Sequence, residues 1–163
     1  MKIKKLFEMQ KALDQHIETK HQLMEENLFD RKVLALLVEV GELANETRCF
    51  KFWSVKSASP DSVIIEEFVD GIHFILSLGI ECGFDQEMVL EPNVNQAGSL
   101  SEEFIKVYEL ITKFRLEKSY DVFQQLFNQY ILIARLLGFT SDQIIQAYLK
   151  KNEVNYERQK NGY

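Results

Sequence analysis

Between Pro60 and Gly83 the chain reads DSVIIEEFVDGIHFILSLGIEC, apolar almost all round yet with Glu67 and Asp70 set into its apolar surface. A helix that is apolar on every side must be covered on every side, so this segment predicts a buried central helix wrapped by others. Ser59 supplies an N-cap acceptor, Pro60 suits the first helical position, and Gly83 suits the residue just past the end. With 2 prolines and 7 glycines in 163 residues, long helices can run uninterrupted.

The rest of the chain follows the same period. A first helix is expected over roughly residues 2–18, with Ile3, Leu6, Phe7, Leu13 and Ile17 as its stripe. A second is expected from Leu28 to Arg48, carrying Val33, Leu36, Leu37, Val40 and Leu43. CFKFWSVKSASP breaks the period and reads as a loop, as do residues 85–98. Ser99-x-x-Glu102 and Thr140-x-x-Gln143 are capping boxes opening two later helices, with another from Tyr120 to Leu137 ending at Gly138. No alternating strand pattern competes. Residues 1–163 therefore read as a single all-α domain, a helical bundle of about five to six helices.

A composition of 46% apolar and 27% charged residues suits a folded globular chain. The net charge of −6 disfavours a nucleic-acid polymer as partner, since phosphate backbones call for a basic surface. Cys49 and Cys82 form no metal-binding pair and read as structural, in keeping with a reducing cytoplasm. The first residues lack a long apolar run, and no membrane-spanning stretch occurs, so a soluble, cytoplasmic protein with no membrane partner is expected.

Glu39, Glu42 and Glu46 fall within an arc about 60° wide on the second helix. Alone, that arc reads equally as a solvated face. On the third helix Glu67 and Asp70 share the side of Val63, Phe74 and Leu78, so acids interrupt an apolar surface. Burying an ionised carboxylate unpaired costs several kcal/mol. Protonation, ion pairing or a divalent cation could offset that cost, and bases within these two helices are scarce. Several hard oxygen ligands suit Mg²⁺, or Mn²⁺, and not zinc; the competing reading is a structural ion-pair network.

Lys151, Asn155 and Arg158 follow an i, i+4, i+7 spacing and share one face of the last helix. An ammonium, an amide and a guanidinium there read as a triphosphate clamp or as a solvated, dipole-stabilised helix end. Trp53, the single tryptophan, reads as core or interface material or, beside Lys51 and Lys56, as a phosphate contact. His73 reads as a satisfied core histidine or as the wall of a sugar pocket that excludes a 2′-hydroxyl.

The pattern Glu39-x-x-Glu42 followed by Glu67-x-x-Asp70 resembles the all-α nucleotide pyrophosphatases, the superfamily of MazG-like enzymes. Within it, MQKALDQHI, KFWSVK and AYLKKNEVNYERQKNGY resemble, in that order, segments of the all-α, dimeric-type dUTPase family. The resemblance implies Glu39, Glu42, Glu67 and Asp70 as metal ligands. It puts Gln10 and Asp14 in the base pocket, Trp53 and Lys56 in a phosphate loop, and Lys151, Asn155 and Arg158 on the phosphates. Position 14 is Asn in several relatives, whereas Asp cannot donate from an amide. The expected activity is Mg²⁺-dependent hydrolysis of dUTP, and of dUDP, to dUMP by attack on the β-phosphorus, with Glu42 or Glu39 activating water, in a homodimer. Two alternatives stand beside it: a MazG-like pyrophosphatase for another nucleotide such as dCTP, and a phage-type regulatory protein acting by protein–protein binding.

Overall fold

A computed structural model describes residues 1–163. It contains six α-helices: α1 Lys4–Lys20, α2 Phe29–Thr47, α3 Asp61–Glu81, α4 Leu100–Glu117, α5 Tyr120–Leu136 and α6 Ser141–Lys160, with a 3₁₀ turn at Val94–Gln96. One antiparallel bridge, Lys2 to Val89, ties the first residues to the α3–α4 connection and is the sole extended pairing. The all-α reading holds, and α1 is shifted two residues toward the C-terminus of its expected span.

Local chemistry sets most of the boundaries. The Ser99–Glu102 and Thr140–Gln143 boxes both close: Glu102 N–H donates to Ser99 Oγ at 3.3 Å and Ser99 N–H to Glu102 at 2.7 Å. Gln143 N–H and Thr140 N–H make the equivalent pair at 3.2 and 2.8 Å. Gly83 and Gly138 both take positive φ. Behind them Phe84 N–H reaches Gly79 O at 2.8 Å and Phe139 N–H reaches Ala134 O at 2.9 Å, the 6→1 bond that ends a helix.

One expectation fails at the start of α3. Pro60 itself is the N-cap, and no side chain caps the helix. The Ser59 hydroxyl donates instead to the carboxylate of Glu46 on α2. Ser59 lies one residue before the N-cap, its hydroxyl turned to this charged acceptor, and the Pro60 carbonyl, accepting from Val63 and Ile64 N–H at 2.9 and 3.1 Å, starts the helix unaided.

As its composition demands, α3 lies at the centre, with Phe68, Ile72, Ile75, Leu76 and Leu78 fully buried. It packs on α2, α6, α1 and α5. Two glycines set how closely α5 approaches: a Cβ at Gly71 would lie 2.6 Å from Tyr130 Cζ, and one at Gly79 would lie 2.5 Å from Phe123 Cζ. Tyr130 uses the space to stack on Phe68, centroids 4.5 Å apart, and to donate to Phe68 O at 2.8 Å. No helix is long and apolar enough to cross a membrane.

Candidate active site

A cleft of about 360 Å³ opens between α1, α2, α3 and α6. Its wall includes Gln10, Asp14, Glu39, Asp70, His73, Asn155 and Arg158, seven residues drawn from four helices. At one end Glu39, Glu67 and Asp70 bring a carboxylate oxygen each within 4.8 Å of the others. On α3 the strip containing these acids descends from the surface into the core: Val63 is 36% exposed, Glu67 and Asp70 are half-buried, and Leu78 is fully buried. The acids stand where the apolar wall meets solvent.

Each of the three resists ionisation. Burial pushes Glu39 up to about 7, reinforced by Asp70, Glu42 and Glu67. Burial likewise raises Glu67, with Asp70 and Glu42 adding to it, and raises Asp70 against the pull of Lys151. Three crowded carboxylates with one partial counter-ion match what a hard divalent cation needs, oxygen donors of net negative charge. The residues present fit such an ion.

The sequence did not place the counter-ion. Lys151, 7% exposed, crosses from α6 to Asp70 at 3.0 Å and to Glu66 at 3.1 Å. Bases are scarce within α2 and α3, but a third helix supplies one. Glu42 is exposed and sits beside Glu39 and opposite Glu67, outside the tightest group of three.

Beyond the acids the cleft floor is a hydrogen-bond network centred on Gln10. Gln10 lies in the buried stripe of α1, 3% exposed. Its amide N–H donates to Asp14 Oδ1 at 2.8 Å, and its carbonyl accepts from the Tyr148 hydroxyl at 2.9 Å. That orientation makes His73 Nδ1 a donor to the same carbonyl, at 2.6 Å. Burial, with Lys151 nearby, holds His73 at about pH 3, so it is neutral, and its ring stacks on Tyr148 at 4.4 Å. His73 Nε2 is buried without a partner. Ser77 donates to Asp14 Oδ2 at 2.7 Å, and burial raises Asp14 despite these two donors.

Trp53 and Lys56 are not brought into this cleft. They sit in the α2–α3 loop with Trp53 64% and Phe52 93% exposed, and the Trp53 ring meets Phe52 edge-on at 5.1 Å. Arg48 holds the loop's shape from its positive-φ position at the end of α2, donating to Lys56 O at 3.0 Å and Ser54 Oγ at 2.7 Å. At the other rim the Arg158 guanidinium lies 4.8 Å over the Tyr163 ring.

Among the cleft residues that the sequence reading did not assign to a site are Lys32, Phe74, Ser77 and Tyr163. Spacing could have found two of them. Lys32 lies seven residues before Glu39, and Ser77 seven after Asp70, each on the helical strip of its acid.

No curated protein matches the chain. The profile of a protein family described as dUTPase does match it, over residues 2–163. With that span, an all-helical bundle and an acidic cluster at the mouth of a nucleotide-sized cleft, the chain belongs to the all-α dUTPase family, whose activity is that of a dUTP diphosphatase.

Proposed function

We propose that the chain hydrolyses dUTP, and dUDP, to dUMP with Mg²⁺ held by Glu39, Glu67 and Asp70 and completed by Glu42. The observation that carries this is the convergence of three ionisation-resistant carboxylates, within 4.8 Å of one another, at one end of the cleft. Bound there, Mg²⁺ (or Mn²⁺) would neutralise phosphate charge and acidify water.

The chain's own groups do the remainder. Glu42, exposed beside Glu39 and outside the tight cluster, would orient the attacking water and accept its proton, with Glu39 as the second candidate. Arg158 and Asn155 line the cleft together with Asp70 and offer a guanidinium and an amide to the phosphate chain. Lys151 adds an ammonium already poised on Asp70. Trp53 and Lys56 would act from the exposed loop after it folds toward the phosphates. Phe74 and Leu13 give the base an apolar slot, with Gln10 and Asp14 at its edge. His73 forms the wall at the level of the sugar. A homodimer is consistent with Leu34 and Val38, one turn apart on α2 and 63% and 50% exposed. A nucleotide in the cytoplasmic pool is the partner, with no nucleic-acid polymer required.

The test is pyrophosphate release from a panel of dNTPs and NTPs, with Mg²⁺ and with EDTA. Preference for dUTP that vanishes in EDTA is expected. Preference for dCTP would overturn the base assignment, and full activity in EDTA would overturn the role of the acids.

A further inference from the structure

The base end of the cleft holds a cation that the proposed chemistry leaves unused. Lys32, on α2, lines the same wall as Asp14 and Ser77, and its side chain is 13% exposed. It is not a free surface lysine. Glu18 on α1 takes one of its hydrogens at 3.1 Å and Glu81 on α3 another at 2.6 Å. An ammonium carries three N–H donors, so one remains, on a group held in place from two neighbouring helices. Asp14 is close enough to stabilise the Lys32 charge.

Asp14 poses the complementary problem. Gln10 and Ser77 each donate to one of its oxygens, so it faces the cleft as an acceptor. An asparagine at this position would present a donor and an acceptor together; a carboxylate presents acceptors alone. The edge of a uracil shows an N3–H donor beside a 4-carbonyl acceptor, and reading both takes one acceptor and one donor. Gln10 gives one amide N–H to Asp14 while its carbonyl takes Tyr148 and His73, which leaves a single neutral N–H on a side chain that is 3% exposed. Asn155 and Arg158 are on α6 and not on this wall of α1, α2 and α3. Lys32 is the charged donor on it.

We propose that Lys32 is a specificity-determining residue whose third N–H donates to the 4-carbonyl oxygen of uracil while Asp14 accepts the base's N3–H. The inference rests on the reading of the cleft as a uracil nucleotide site. Cytosine would turn its 4-amino donor toward the ammonium and its bare N3 toward the carboxylate, two mismatches at once.

The experiment compares kcat/KM for dUTP and dCTP in the wild type and in Lys32→Met, with Mg²⁺ present and folding checked by circular dichroism. The variant should lose about tenfold to a hundredfold on dUTP, mainly through KM, and the dUTP-to-dCTP ratio should collapse. Adding Asp14→Asn to Lys32→Met should restore part of that ratio, since the amide then offers both groups, a recovery that a purely structural lysine would not give. A folded Lys32→Met with an unchanged ratio overturns the proposal while leaving the dUTPase reading intact. Should Lys32→Met not fold, the wild type decides: 2′-deoxy-4-thiouridine triphosphate keeps N3–H but replaces the 4-oxygen with a poor acceptor. A loss of about tenfold supports the contact, and equal turnover overturns it. Absence of dUTP hydrolysis by the wild type would remove the functional reading and this inference with it.

Discussion

Gly71 stands next to Asp70 at the closest approach of α3 and α5, which makes Gly71→Ala a direct test of how the site is held. The added Cβ would lie 2.6 Å from Tyr130 Cζ and closer still to the hydroxyl, against an ordinary contact beginning near 3.4 Å. The ring must therefore retreat by roughly 0.8 Å or more in a core with little slack. Tyr130 has nowhere easy to go: it is fully buried, stacked on Phe68 and bonded to Phe68 O. Overpacking of this kind costs about 1–3 kcal/mol, and the strained hydroxyl bond adds about 1 kcal/mol. Alanine's better helix propensity returns about 1 kcal/mol. The balance is a loss of about 2 kcal/mol, which for a chain of this length lowers Tm by about 4–8 °C. Urea and thermal denaturation followed by circular dichroism would measure it. Gly71→Ala should also cost less in a Tyr130→Phe background, because the nearest atom is gone while Cζ remains. Gly41→Ala is the comparison, its Cβ meeting only the hydroxyl of half-buried Tyr108, at 3.0 Å. A Gly71→Ala protein as stable as the wild type, with no coupling to Tyr130, would refute the packing described for α3 and α5.

Glu42→Gln should abolish turnover while leaving a folded protein; retained activity removes Glu42 from the mechanism. Arg158→Ala should raise KM or lower kcat markedly with unchanged helix content, and normal kinetics would exclude a phosphate contact. Without metal, stability should fall as pH rises from about 4.5 to about 7, because Glu39, Glu67 and Asp70 are all raised and so favour the folded state when protonated. Mg²⁺ should offset that loss at the upper end, where the acids are free of protons; melts across this range in EDTA and in Mg²⁺ would check it, and a rise with pH in EDTA would contradict the cluster's electrostatics. Because Trp53 is the single tryptophan and is 64% exposed, binding of a non-hydrolysable dUTP analogue should shift its emission to the blue if the loop closes. An unmoved spectrum would leave the loop outside the site.

What the sequence determined by itself is what depends on near neighbours. Capping by Ser99 and Thr140, the glycine stops at Gly83 and Gly138, and the common strips of Glu39 with Glu42 and Glu67 with Asp70 all follow from bonds or periodicities spanning a few residues. Periodicity gives a side chain's direction about its own axis and nothing about the rotation of one helix against the next. Tertiary packing therefore decided that Asp70 meets Lys151 from α6. It also drew the Ser59 hydroxyl away from capping to Glu46 and left Trp53 and Lys56 outside the cleft. Gln10 shows the limit most plainly. Its partners His73 and Tyr148 lie 63 and 138 residues away. Their meeting depends on how deeply α1 and α6 seat against α3, a matter of side-chain volume that no local spacing encodes.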